Sequence, residues 1–124
     1  MHNAIRVHPS ELPFPFAKAT EVAGILYLSG QVAMNAEGVP LHGSVTQQVQ
    51  AIMRQLEATL VSLGTALDRI FKVTVWLSSM AHFAEFNAEY AKWFTHGYPA
   101  RSVVSCALAF DLDVEIEVQA LAAH

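Results

Sequence analysis

Residues 44–64 constrain the fold most. Ser44 stands three residues before Gln47, the spacing at which each side chain can bond the other's backbone N–H. Val45, Val49, Ile52, Met53, Leu56, Leu60 and Leu63 then recur at helical spacing. Gly64 falls where a left-handed residue ends a helix. A helix with one apolar stripe must bury that stripe against another layer.

The other layer is legible as strands. Ala17–Val22 and Ile25–Ser29 read as two strands around a turn at Ala23-Gly24, and Gly30 ends the second. Ala4–His8 reads as a short edge strand, after which Pro9, Pro13 and Pro15 keep the chain irregular. Asn35–Gly43 reads as loop. In Arg69–Leu77, alternation puts Phe71, Val73, Val75 and Leu77 on one side and Ile70, Lys72, Thr74 and Trp76 on the other. Ser79 is a cap for a second helix carrying Phe83, Phe86, Tyr90, Trp93 and Phe94 on one stripe, ended by Gly97 and Pro99. Arg101–Cys106 and Asp111–Leu121 follow as strands. In the last, Leu112, Val114, Ile116 and Val118 face one side, and Asp111, Asp113, Glu115, Glu117 and Gln119 the other.

The order strands, helix, strand, helix, strands predicts an α+β fold, a single mixed sheet with two helices packed on one face. Length predicts a single domain over 1–124. Nothing in the chain is left to cover the other face, which predicts a homo-oligomer. Composition agrees: 53% of residues are hydrophobic and only 15% charged, against about a quarter charged in typical domains.

A net charge of −4 and the lack of any basic run argue against nucleic acid as a partner. No apolar run approaches the roughly 20 residues of a membrane helix, and the N-terminus lacks the apolar core of a secretory signal. A single cysteine, Cys106, cannot form an intrachain disulfide, which fits a reducing, cytoplasmic setting; it reads as a small buried strand residue. The six histidines form no metal pattern, so no metal site is expected.

Arg101 is the residue that asks for a function. It sits in "YPARSVV" at 98–104, between a proline turn and a buried-looking strand. A buried guanidinium needs a protein partner or a ligand. The pattern alone favours a salt bridge to the acidic strand face.

Four stretches change that balance: "LYLSGQV" at 26–32, "IFKVTVWLSSMAHFAEFNAEYAKWF" at 70–94, "PARSVV" at 99–104 and "VEIEVQALA" at 114–122. Together, in this order and spacing, they resemble the Rid family of reactive intermediate deaminases, the YjgF-like proteins, from Leu12 to the end of the chain. The resemblance implies a chorismate-mutase-like fold and a homotrimer with sites in clefts between subunits. It implies hydrolysis of 2-imino and 2-enamino acids, such as 2-aminoacrylate, to 2-oxo acids and ammonia, without a cofactor. The family's carboxylate-binding arginine falls on Arg101 and the glutamate associated with the attacking water on Glu117. Gly30 and Asn87 fall on positions that line or shape the cleft. The chain departs from the family at Phe16, often Tyr, at Val103, often Cys, and at Gln119, often Glu. The 106–112 loop lacks its common proline and is one residue longer.

The chemistry stands without the name. A planar guanidinium can grip a carboxylate through two parallel hydrogen bonds and so orient the adjacent C=N carbon. A nearby carboxylate can take a proton from water and return one to the departing nitrogen. A small-molecule carboxylate substrate, clasped by Arg101 and turned over beside Glu117, is therefore the leading expectation. Phe14 and Phe16, in a proline-rich loop, are candidates for a pocket wall. The plainer role for Asn87 is a bond to neighbouring backbone, and for Glu117 membership of a solvated acidic row. Two other functions fit the same residues: a non-catalytic trimeric binder of small carboxylates, and a catabolic deaminase for a larger enamine with Phe16 lining a less polar pocket.

Overall fold

The computed structural model describes residues 4–123. Strands β1 (Arg6–Pro9), β2 (Ala17–Val22), β3 (Ile25–Leu28) and β4 (Gln31–Val32) precede helix α1 (Val45–Ser62). Strand β5 (Ile70–Leu77), helix α2 (Phe83–Tyr90), β6 (Ala100–Ser105) and β7 (Val114–Leu121) complete the order. The strands form one sheet in the order β1-β2-β3-β7-β5-β6, with β4 also paired to β7. Only β5 and β6 run parallel, joined by the crossover that carries α2.

Local chemistry sets the element ends. Ser44 Oγ accepts from the Gln47 N–H and Gln47 Oε1 from the Ser44 N–H, so the capping box forms as expected. Gly64 follows α1 with φ +83. Ala23 and Gly24, at φ 51 and 80, make the two-residue turn between β2 and β3. Ser79 does cap, accepting from the Ala81 N–H, but what it caps is one tight turn at Met80–His82 before α2 begins.

Both helices pack on one face of the sheet, whose core joins Val49, Ile52, Met53, Leu56 and Leu60 of α1 to Val73, Val75, Val114, Ile116 and Val118. The alternation of β7 is as read from the sequence, with Val114, Ile116 and Val118 buried. In β5 a bulge intervenes. Ile70 pairs with Ala120 and Lys72 with Gln119, leaving Phe71 as the extra residue. Ile70 is therefore turned into the core at 7% exposure and Phe71 out at 40%, the reverse of the expected assignment. Cys106 is exposed just past the end of β6, not buried within it.

Gln31–Val32, outside every element read from the sequence, forms β4. Tyr27 pairs with Gln119 and Gln31 with Ile116, so residues 28–30 span only Glu117 and Val118. This second bulge opens the sheet beside Glu117. The turn entering β7 is pinned by Gln48, buried on α1. Its Nε2 donates to Asp113 Oδ2 (3.1 Å), and its Oε1 accepts from the Asp113 N–H (3.0 Å). Ser78 Oγ donates to Asp113 Oδ1 at 2.7 Å.

Truncating the wholly buried Leu56 to alanine should lower unfolding free energy by about 2–5 kcal/mol. Val61→Ala, on the exposed side of the same helix, should change it by less than about 0.5 kcal/mol. Urea midpoints of the two variants check this; equal losses would mean that α1 does not bury the stripe described.

Candidate functional site

Strand register decides where each candidate residue points. Arg101 lies opposite Val73 across the β5–β6 pair, and Val73 opposite Val118 across β5–β7. Arg101 therefore shares the helix-covered face. Glu117 lies opposite Thr74, which faces Ser102 on β6. Glu117 is on the other face. The salt bridge from Arg101 to the acidic row of its own β7 is thus ruled out by geometry.

What surrounds Arg101 is aromatic. Its guanidinium carbon is 5.0 Å from the Tyr90 ring centroid, 5.6 Å from Phe86 and 5.9 Å from Phe83. Ring faces attract a cation without consuming its hydrogen-bond donors. No carboxylate among the described residues pairs with Arg101. Phe83 is exposed at this edge, where the stripe pattern suggested core.

Two more polar atoms stand unpartnered nearby. Asn87 Oδ1 and the Tyr90 hydroxyl are buried and make no hydrogen bond. With Arg101, Tyr98 and Pro99 they line a cavity of about 340 Å³. The plainer role for Asn87, a bond to neighbouring backbone, is not filled by its carbonyl oxygen, which accepts from no donor. Burial pushes the Tyr90 phenol up to about 12, with Arg101 opposing and Tyr98 adding to the rise, so the hydroxyl is a neutral donor at ordinary pH. Val103, two residues on from Arg101, lines an adjoining hollow with Met80 and Phe83.

The second cluster lies on the opposite face. Glu117, Glu115, Gly30 and Phe16 line a cavity of about 550 Å³ together with Phe14 and Phe110. Gly30 leaves room for the Glu115 carboxylate, which a Cβ at this position would push aside. Burial, and then the charge of Glu117, push the Glu115 carboxyl above its ordinary value. The structure therefore brings Arg101, Asn87 and Val103 together, and separately Glu117, Gly30 and Phe16. It does not join the two groups within one chain. Among the described residues no group of three or more His, Cys, Asp or Glu side chains gathers as metal ligands do. No helix there is long and apolar enough to cross a membrane.

Comparison with known proteins agrees with this architecture. The pattern of the endoribonuclease L-PSP family matches residues 10–124. The chain belongs to the YjgF/Rid family. It is 35% identical to protein HMF1 of Saccharomyces cerevisiae over 109 residues, covering 88% of this chain and 84% of that one. It is 34% identical to a RutC family protein of Aquifex aeolicus, covering 86% and 88%. The crystal structure of the Rid family protein YyfA from Yersinia pestis superposes with a TM-score of 0.87 at 32% identity, covering 95% of this chain and 99% of the other. The chorismate-mutase-like fold expected for a Rid member is the fold found.

Two residues beside the candidate positions carried little sequence signal. Tyr90 reads as one more aromatic in a helical stripe, and only the structure shows its hydroxyl unpartnered. Phe110 sits in a loop whose left-handed backbone only the weak signal of Asp111 accompanies.

The sign of the Glu115 shift gives a pH test. Its raised value favours the neutral carboxyl in the folded chain. That contribution is full at acid pH and is lost as pH rises through the raised value. Glu115→Gln, which keeps the neutral form, should raise the thermal midpoint near neutral pH and give no gain below the carboxylate range. Thermal unfolding at both pH values checks this; destabilisation at neutral pH would contradict it.

Proposed function

We propose that the chain is a metal-free imine deaminase. It would hydrolyse 2-imino and 2-enamino acids, 2-aminoacrylate among them, at sites completed by a second copy in a homotrimer. One observation carries the reading: a guanidinium that no carboxylate among the described residues pairs with, backed by three rings, lies on the opposite sheet face from Glu117. Each cluster is half a site. Arg101 sits on β6 at the sheet edge, where another subunit can reach it. The outer face also exposes Tyr27 and Val104, apolar surface that association would cover.

The steps follow from the groups. Arg101, with Asn87 beside it, holds the substrate carboxylate and fixes the imine carbon. Glu117 of the partner subunit takes a proton from a water that adds to that carbon, giving a carbinolamine. The same carboxyl returns the proton to nitrogen, the C–N bond breaks as the C–OH becomes C=O, and the hydroxyl proton passes to the departing ammonia, which leaves as ammonium. The balance is one iminium acid plus one water giving one 2-oxo acid and one ammonium ion. Phe16 supplies no hydroxyl and Val103 no thiol. These absences favour as second reading a trimeric binder of small carboxylates without turnover. The family's nuclease name suits this chain poorly, since its net charge is −4 and the face bearing Glu117 is acidic. The single exposed thiol fits a reducing cytoplasmic location.

An amino acid oxidase can generate the imine in situ while 2-oxo acid release is followed above the spontaneous rate. Arg101→Ala and Glu117→Gln should each reduce the enzymatic rate by about a hundredfold or more. Wild-type rates in Arg101→Ala across a panel of imino acids would refute the assignment. Saturable 2-oxo acid binding without any rate acceleration would select the binder.

A further inference from the structure

The wall of the Glu117 cavity is more aromatic than a three-carbon imino acid requires. Phe14 and Phe16 stack with centroids 5.8 Å apart and planes 12° from parallel. Phe110 tilts against Phe14 at 5.9 Å and 54°. The Phe110 ring is not tucked into the core; the residue is 45% exposed. Leu12 and Val32 extend the apolar lining around the Glu115 and Glu117 carboxylates.

The backbone that delivers Phe110 is disfavoured. Phe110 has φ 60 and ψ 18, and Asp111 has φ 57, two successive non-glycine residues in the left-handed region. Such a conformation persists only where its surroundings hold it. Here His42 Nε2 lies 2.9 Å from the Phe110 carbonyl oxygen, to which its Nε2–H tautomer donates. Asp113, two residues after Asp111, is fixed by Gln48 and Ser78. The loop is pinned on both sides, and the product of that strain is a ring facing the cavity.

We infer that Phe110, with Phe14 and Phe16, forms a side-chain pocket that selects 2-imino acids bearing an aromatic or large apolar side chain. The inference rests on the deaminase reading. With the carboxylate held by Arg101 of the partner subunit and the imine carbon beside Glu117, the substrate's side chain is the part left to meet the three rings. Apolar contact of this size discriminates by about ten- to a hundredfold.

Phe110→Gly is the informative variant. Glycine adopts φ 60 without strain, so the loop keeps its path while the ring is lost. Phenylpyruvate and pyruvate binding are measured by calorimetry on wild type and variant. In parallel, hydrolysis of the imines of phenylalanine and alanine is compared. Wild type should bind phenylpyruvate at least about tenfold more tightly than pyruvate, and Phe110→Gly should narrow that ratio to within about threefold. The ratio of imine hydrolysis rates should move in parallel. Equal binding of the two oxo acids by wild type, binding of neither, or an unchanged ratio in Phe110→Gly overturns the pocket. So does dissociation of the oligomer in Phe110→Gly, which would make the ring an interface residue. If wild type hydrolyses neither imine, the deaminase reading fails, while the binding ratio still judges the pocket.

Discussion

Neighbouring residues on a strand point to opposite faces, and paired strands keep that parity across the sheet. This alternation sends Arg101 into the row of Val73 and Val118, and Glu117 into the row of Thr74 and Ser102. No side-chain rotation can bring the two groups together through a closed sheet. A chemistry that uses both must use two chains. Under the proposed function, an oligomer would be part of the catalytic apparatus and not only a cover for apolar surface.

The environment of Arg101 follows from the same register. A β6 side chain on the helix-covered face must meet α2, and α2 presents Phe83, Phe86 and Tyr90 there. Rings hold the cation in place while leaving its N–H groups unspent. A carboxylate in their place would have satisfied the guanidinium and removed it from ligand binding. On the opposite face, a bulge does comparable work. Lying opposite Glu117, it opens the sheet, and Gly30 within it leaves room for Glu115.

Much of this was legible in the sequence because periodicity is a local signal. The capping box at Ser44 and the apolar stripe gave α1, and the alternation of β7 gave its two faces. The order of elements gave both helices on one side. The parity of Arg101 against Glu117 was not legible, since it depends on which residues pair across β5, and pairing is non-local. The bulge at Phe71 reversed an alternation that looked regular, because one extra residue changes every face before it. Phe110 escaped notice for a related reason: left-handed backbone is announced by glycine and more weakly by asparagine or aspartate, and only the weak signal of Asp111 stands beside it. The identities of Arg101 and Glu117 came from the family motif, whereas their separation came from the fold.

Subunit mixing tests the shared site most directly. Arg101→Ala and Glu117→Gln chains, each first assayed alone for the expected loss of activity, are unfolded together, refolded together and assayed for imine hydrolysis. A site built from two chains predicts recovery of activity, about a quarter of the wild-type rate per site for random assembly into trimers. Mixed oligomers that form and stay as inactive as either parent would contradict the account.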